Sequence, residues 1–305
     1  MASSSRAKTA DRQSVVKKLL PLLKKRYKIT VPKLDRAVME TMLYATCLED
    51  VNVDQAERAY ARLHTLFPDL NEARVSAISE LEPAFEGMSD PDWRAFRSRS
   101  ILQYVFEKTF NFEFESLRKK TLELAMKQLA KIKHLSPFVR TFTLQQAVGA
   151  HLLPLDESST RFVIWMGLAA PNQTADQAGD SLKSLIRKAE ALQFCFAIRC
   201  AAADPKIRAA FDPGKYPHPA DGHDAGTAID RLTELFKSGP PAIKARPKPA
   251  VEPAAPAKGA KAAAKPVKAA AKPVKKAATK SAKPAPAKKA PAVKAAAAKK
   301  PARKG

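Results

Sequence analysis

The last 65 residues restrict where this chain can form a folded core. Residues 241–305 contain 25 alanines, 19 lysines or arginines and 11 prolines, with one acidic residue, Glu252, and no aromatic residue. Such a segment has too little apolar surface to offset the entropy of ordering its backbone, so we expect it to be disordered. The first 240 residues must therefore supply the folded body.

Most of the net positive charge of the chain also lies in residues 241–305. Residues 241–305 carry 19 basic side chains and one acidic side chain, so they contribute +18 to the total net charge of +24. The first 240 residues carry 35 basic and 29 acidic side chains, a net charge of +6. Because a strongly cationic segment attracts polyanions, nucleic acid is the expected partner.

Several protein classes are disfavoured by the sequence. No run approaches 18 apolar residues, so we expect no membrane span and no membrane partner. The polar start over residues 1–6 lacks the apolar core of a secretory signal. Three cysteines are too few for a disulfide scaffold. His218 and His223 lie in a loop rich in proline and glycine, a setting more typical of solvated histidines than of metal ligands. We expect a cytoplasmic, nucleoid-associated protein with no metal or cofactor.

Helical spacing of apolar residues dominates the first two-thirds of the chain. No Asn-Gly or Asp-Gly turn joins two alternating runs, so strands are not expected. Side chains of the type that cap helix N-termini mark four helix starts, at Asn52, Asp90, Ser136 and Asp156. The pattern predicts an all-α domain of nine or ten helices.

The expected organisation has four parts. A disordered leader covers residues 1–10, and the helical domain covers residues 11–203, ending in a long helix from Thr174 to about Ala203, with a break near Ala189 as the open alternative. A loop-rich extension with a short helix near 229–236 covers residues 204–240. The disordered Lys/Ala/Pro-rich tail follows over residues 241–305.

The most informative stretch of the helical domain is a short turn over residues 132–136, between two predicted helices. Two helices joined by such a turn, with free backbone N–H groups at the start of the second helix, form a phosphate site. Residues 121–148 are therefore a candidate helix-hairpin-helix. An ordinary helical hairpin is the commoner alternative.

The order and spacing of motifs over residues 12–203 resemble the helix-hairpin-helix DNA glycosylase superfamily, most closely its endonuclease III branch. In that family the hairpin reads Leu-Pro-Gly-Val-Gly, a catalytic lysine follows it, and an aspartate lies some 18 residues further on. Residues 132–136, Phe138 and Asp156 occupy these places here. Upstream, residues 42–53 resemble the family segment that ends in Asp-Val-Xaa-Val. The resemblance implies an all-α, endonuclease III-like fold and membership of a superfamily that acts in base excision repair.

Three departures from the family pattern bear on activity. His134 and Ser136 replace the hairpin glycines, and Phe138 replaces the lysine whose amine would form a Schiff base. The family's iron–sulfur cluster needs four cysteines, whereas only Cys195 and Cys200 lie near the expected place. The departures predict a chain without lyase activity and without the cluster.

Asp156 is the one catalytic candidate. The resemblance implies that its carboxylate stabilises a cationic sugar or activates a water. Its position also predicts an N-cap of the next helix, and both roles can hold at once. The candidate DNA-binding residues of the helical domain are the hairpin residues and nearby basic side chains: Lys133, His134, Ser136, Arg140, Arg97 and Arg99.

The tail contains its own repeat. Ala-Lys-Pro-Val-Lys occurs at 264–268 and again at 271–275, within a looser Lys-Ala-Pro pattern. The composition resembles the tails of linker histones and bacterial histone-like proteins, which bind duplex phosphates without sequence preference. It predicts binding to DNA, with RNA as the open alternative, through lysines such as Lys265, Lys268, Lys272, Lys275 and Lys276.

Three functional hypotheses follow. The first is a DNA-binding protein on a helix-hairpin-helix glycosylase fold that binds duplex DNA, damaged or bent, without cleaving it. The second is a monofunctional DNA glycosylase that uses Asp156 to activate water. The third is an architectural, histone-like nucleoid protein whose helical domain contacts other proteins. The sequence leaves the enzymatic question and the oligomeric state open.

Overall fold

The computed structural model describes residues 2–29, 31–32 and 35–240 of the chain, with side chains from residue 11 onward. The Lys/Ala/Pro-rich tail and its five candidate lysines lie outside this range. Within the described range the secondary structure is helical and contains no strand, as the sequence predicts. No helix there is long and apolar enough to cross a membrane.

The described part of the chain forms twelve α-helices. The first six are α1 (Ala2–Arg26), α2 (Val38–Leu48), α3 (Val53–Leu66), α4 (Leu70–Val75), α5 (Ile78–Leu81) and α6 (Pro91–Thr109). The second six are α7 (Leu122–Leu129), α8 (Pro137–Ala147), α9 (Glu157–Trp165), α10 (Ala175–Leu182), α11 (Lys188–Ala202) and α12 (Ala228–Ser238). Three short 3₁₀ helices cover Glu82–Phe85, Glu115–Lys119 and Arg208–Phe211.

The helices surround two hydrophobic cores. The first core is built by α2 to α8, with α2 in the middle, buried along nearly its whole length. The second core is built by α1 and α9 to α12. In α1, Val15, Leu19 and Leu23 are spaced by four residues, so they share one helix face, and all three are buried against the second core. The N-terminal helix therefore packs with the C-terminal half of the body.

Three of the four predicted caps form as expected. The side chains of Asn52, Ser136 and Asp156 accept hydrogen bonds from backbone N–H groups in the first turns of α3, α8 and α9. Asp90 differs, because it adopts a left-handed conformation (φ 52°) and its side chain makes no capping hydrogen bond. The start of α6 is instead fixed by Pro91, whose ring sets a helical φ.

The structure differs from the expected organisation at two places. Residues 2–10 form the first turns of α1, where a disordered leader is predicted. The long helix predicted from Thr174 is two helices, α10 and α11, separated by residues 183–187. The extension over residues 204–240 contains a short amphipathic helix, α12, where one is predicted, and it joins the second core through Phe211, Leu232 and Leu235.

Candidate functional site

The predicted hairpin connects α7 and α8. His134, in its middle, has φ +62°, a left-handed conformation that glycine adopts most easily and histidine tolerates. The turn therefore keeps a left-handed residue where the family pattern has its first glycine. Ser136, at the second glycine position, has φ −68°, and its Oγ accepts a hydrogen bond from the Val139 N–H at 3.1 Å. The helix that follows begins at Pro137, as predicted.

Helix α6 holds the hairpin in place. Arg97 donates from Nε to the His134 carbonyl oxygen at 3.1 Å, and its guanidinium forms an ion pair with Glu49. The His134 ring packs on Phe96, with 4.7 Å between ring centroids, and on Trp93, with 5.8 Å. Arg97 is thus engaged by protein partners and supports the turn.

The other predicted DNA-binding residues fall into two groups. Lys133 is exposed and borders a cavity of about 250 Å³ together with Arg99, Lys131 and Glu107. Arg140 lies on α8 and pairs with Asp176 of α10 at 2.5 Å. The structure therefore gathers Lys131, Lys133 and Arg99 into one cavity of net positive charge beside the hairpin, and gives Arg140 an acidic partner.

A larger cavity of about 620 Å³ lies between the N-terminal ends of α6, α8 and α9. Its lining contains five acidic residues, three arginines and two aromatic residues: Glu49, Asp50, Asp90, Asp156, Glu157, Arg94, Arg97, Arg161, Trp93 and Phe138. The cavity has the size of a small-molecule site. It is the place where the sequence resemblance puts the reaction centre.

Asp156 borders this cavity, and its side chain is 1% exposed. Its Oδ1 accepts a hydrogen bond from the Ser159 N–H at 2.9 Å, which caps α9. Its Oδ2 accepts from the Asp50 N–H at 2.8 Å and from the guanidinium of Arg199 at 2.5 Å. The carboxylate is thus buried, ion-paired and engaged through both oxygens.

Arg199 of α11 is itself buried and joins three elements. Besides Asp156, its guanidinium donates to the Leu48 carbonyl oxygen at 2.6 Å, at the C-terminal end of α2. Its central carbon lies 4.7 Å from the ring centroid of Phe138. Phe138, at the family's lysine position, therefore stacks on a cation that neutralises Asp156. Arg199 was not identified from the sequence, because the arginine lies 43 residues from its partner.

Asp50 is a second carboxyl group at the start of α9. Its backbone is left-handed (φ 58°), and its Oδ1 accepts a hydrogen bond from the Ser158 N–H at 2.8 Å. Burial and the neighbouring charge of Asp156 raise the pKa of Asp50 to about 6. The sequence contained a signal for this residue, the Asp-Val-Xaa-Val pattern at 50–53, but gave no role to its aspartate.

The two carboxyl groups border the same cavity, but their pKa values are shifted in opposite directions. Burial on its own would raise the pKa of Asp156, but the charge of Arg199 and the hydrogen bonds to Asp156 outweigh it, and the pKa is lowered. The first proton taken up by the pair therefore goes to Asp50.

The cysteines do not fit an iron–sulfur cluster of the family type. Such a cluster takes four thiolates, and the whole chain has three cysteines. Cys195 borders a small apolar cavity with Phe138, whereas Cys200 borders another cavity with Tyr27. Burial raises the pKa of the Cys195 thiol to about 12, so this side chain behaves as a small apolar group.

The two loop histidines lie close together. Their ring centroids are 4.9 Å apart, and the His223 ring also lies 5.8 Å from that of Trp165. Burial, followed by the charges of Arg231 and His218, lowers the pKa of His223 to about 4. Among the side chains described over 11–29, 31–32 and 35–240, no group of three histidine, cysteine or acidic side chains is placed to hold a metal ion.

Comparison with known proteins gives a structural match. No family model matches the sequence, and no curated protein matches it. Among solved structures, 28 chains match. One is endonuclease III in a trapped covalent intermediate with DNA, an estranged-adenine complex, with a TM-score of 0.50 at 12% identity. The match covers 72% of this chain and 98% of that chain.

The chain has the endonuclease III fold. The all-α, helix-hairpin-helix architecture predicted from the motif order is thereby confirmed. The matched structure is nearly completely covered, so the likeness extends over the whole of that chain. The match shows the fold, and the role of each residue in this chain is argued from the contacts described above.

Proposed function

We propose that this protein binds DNA through its endonuclease III-like body and its basic tail, and that it lacks lyase activity and the iron–sulfur cluster. The contact between Phe138, Arg199 and Asp156 carries the proposal. A lyase needs a lysine amine that attacks the sugar, and here the corresponding side chain is a phenyl ring packed on an arginine.

The electrostatics of Asp156 point the same way. In the family reaction an aspartate stabilises positive charge that develops on the sugar, which requires uncompensated negative charge at that point. Arg199 supplies the compensating charge 2.5 Å from the carboxylate oxygen, in a buried setting where electrostatic interactions are strong. The residue is retained, but its charge stabilises the protein itself.

DNA binding by the body rests on the hairpin and the basic cavity beside it. Lys131 and Lys133 are exposed, and Arg99 borders the same cavity, so the three cations can contact a phosphate group. The structural neighbour, an endonuclease III–DNA complex, is consistent with duplex DNA as the partner. The tail adds sequence-independent attraction, and a nucleoid-associated location in the cytoplasm follows from it.

The first experiment tests the chemistry. The full-length protein is incubated with duplexes that carry abasic, oxidised, alkylated or mismatched sites, with borohydride present in one series, and endonuclease III serves as the positive control. We expect no covalent adduct and no released base. An adduct would show that another lysine acts as nucleophile, and peptide mapping would identify it.

The second candidate function is a monofunctional glycosylase that uses Asp156 to activate water. Asp156 and Asp50 border the 620 Å³ cavity, and the raised pKa of Asp50 gives the pair one ionised and one protonatable carboxyl group near pH 6. Release of an intact base by the wild-type protein, without strand cleavage, would establish this function over the first.

The third hypothesis, an architectural protein with all DNA affinity in the tail, is separated by truncation. Removal of residues 241–305 is expected to lower affinity for plain duplex at least about tenfold, roughly 1.4 kcal/mol, and to flatten the salt dependence. Anisotropy titrations at three salt concentrations measure both quantities. Complete loss of binding supports the architectural hypothesis, and unchanged affinity and slope would show that the tail does not bind DNA.

A further inference from the structure

The body carries an exposed aromatic cluster, formed by Trp93, Phe96 and His134, that no step of the proposed function uses. Trp93 is 52% exposed, which is unusual for so large an apolar side chain. Its ring contacts Phe96 edge-on, with 5.7 Å between centroids, and both rings contact His134 of the hairpin. The three rings therefore hold one another in place, while about half of the Trp93 side chain stays exposed to solvent.

Helix α6 and the hairpin turn both hold the aromatic cluster in place. Trp93 and Phe96 are three residues apart on α6, so they lie on one face of that helix. His134 is fixed by its left-handed backbone and by the hydrogen bond from Arg97 to its carbonyl oxygen. A Trp ring held in this way loses little conformational freedom when a ligand stacks on it.

A cavity lies at each end of the aromatic cluster, and the two differ in charge. Trp93 borders the 620 Å³ cavity, whose three arginines are engaged: Arg94 donates to backbone carbonyl oxygens, Arg97 pairs with Glu49, and Arg161 pairs with Glu157. Phe96 borders the 250 Å³ cavity, whose charged lining is one acid, Glu107, and three cations, Arg99, Lys131 and Lys133, with both lysines exposed. An anion is thus favoured at the Phe96 end and disfavoured at the Trp93 end.

A nucleotide has the matching distribution of charge, because its base is neutral and its phosphate is anionic. We propose that the aromatic cluster is a stacking site for one unpaired nucleobase of DNA, with the base on Trp93 and a flanking phosphate at Lys131 and Lys133. This inference rests on the proposed DNA-binding function. It assigns to the body a preference for extrahelical or single-stranded bases, which the sequence-independent attraction proposed for the tail does not supply.

Tryptophan fluorescence can test the site locally, because the chain has two tryptophans. Trp165→Phe leaves Trp93 as the single reporter, and Trp93→Phe leaves Trp165, which is 8% exposed. Both full-length variants are titrated with a matched duplex, with the same duplex carrying one bulged adenine, and with a single strand. Anisotropy of labelled DNA measures binding in parallel.

We expect the bulged duplex and the single strand to quench Trp93, and no probe to change the emission of Trp165. If Trp165→Phe does not fold, the difference between wild-type and Trp93→Phe emission gives the same quantity. Binding with no quenching of Trp93, or equal quenching by matched and bulged duplexes, overturns the stacking site and leaves the proposed function intact. Absence of DNA binding by the wild type overturns both.

Affinity measurements supply a second readout. Stacking on one aromatic side chain is worth about 1–3 kcal/mol per base, so Trp93→Ala is expected to reduce the preference for bulged over matched duplex about tenfold or more. Trp93→Phe should retain most of it. Lys133→Ala should weaken binding to all three DNAs by a similar factor and leave the preference unchanged. A preference that survives Trp93→Ala contradicts the proposal.

Discussion

The hairpin and the Asp156 site differ in how residue identity relates to local structure. At the hairpin the glycines of the family pattern are absent, yet His134 takes a left-handed conformation and Ser136 caps the next helix. At the second site the aspartate is present, yet Arg199 neutralises it and Phe138 stacks on that arginine. The left-handed turn is retained where the residues change, and a buried cation engages the carboxylate where the residue is retained.

The difference has a physical cause. A turn is defined by backbone angles, and several residue types reach a left-handed φ at modest free-energy cost. A catalytic carboxylate is defined by its electrostatic surroundings, which one buried cation changes completely. The comparison teaches that a motif match is stronger evidence for a turn than for a reaction.

The largest expected effect is at Asp156. Asp156→Asn leaves the buried guanidinium of Arg199 without its counter-ion, so we expect the free energy of unfolding to fall by about 3–5 kcal/mol. Urea denaturation measures it. Glu157→Gln is the matched control, because this exposed acid pairs with Arg161 one turn along the same helix and should change stability by less than about 0.5 kcal/mol.

The same site allows a double-mutant test. If Asp156 serves mainly to pair with Arg199, Asp156→Asn combined with Arg199→Met should lose less stability than the two single changes added together. Strict additivity would show that the ion pair is not the main interaction of Asp156. Activity assays on Asp156→Asn need this stability measurement, since a loss of fold would resemble a loss of catalysis.

The second effect is at Asp50 and depends on pH. Asp50→Asn retains an oxygen that accepts from the Ser158 N–H and removes the repulsion between Asp50 and Asp156. We expect the variant to be more stable than wild type by about 2–3 kcal/mol at pH 8, since the shift of the Asp50 pKa to about 6 corresponds to that amount.

The sign follows from the direction of that shift. A carboxyl group whose pKa is raised by folding favours the folded state when it is protonated, and this stability is lost as the pH rises through about 6. The stabilities of wild type and Asp50→Asn should therefore agree most closely below about pH 4, diverge between about pH 4 and pH 6, and differ by a constant amount above pH 6. Urea denaturation across this range measures the difference, and a difference independent of pH would contradict the assignment of the proton to Asp50.

The smallest expected effect is at His134. Both His134→Gly and His134→Ala remove the ring from the aromatic cluster, but only glycine relieves the left-handed backbone, so the glycine variant should be more stable by about 1 kcal/mol. Lys133 is not left-handed and provides the control, where alanine should be at least as stable as glycine. Thermal unfolding of the four variants measures both differences. Equal stabilities at His134 would show that the turn has relaxed.

Local sequence signals predicted much of the fold. The capping side chains of Asn52, Ser136 and Asp156 determine where three helices begin, because their partners lie within three residues. The order of these signals also led to the endonuclease III fold. The helix after Thr174 was predicted less accurately: the sequence left open a break near Ala189, whereas the break lies at 183–187, because apolar spacing continues through it.

The candidate site depended on contacts that spacing does not encode. The sequence by itself determined that Phe138 cannot act as an amine nucleophile and that the cysteines are too few for a cluster, since both follow from residue identity. Only the tertiary structure decided the state of Asp156, because Arg199 reaches it from another helix and Asp50 reaches it from the end of α2. The charges around a side chain are set by packing between segments that are distant in sequence, so the spacing of residues along the chain does not predict them.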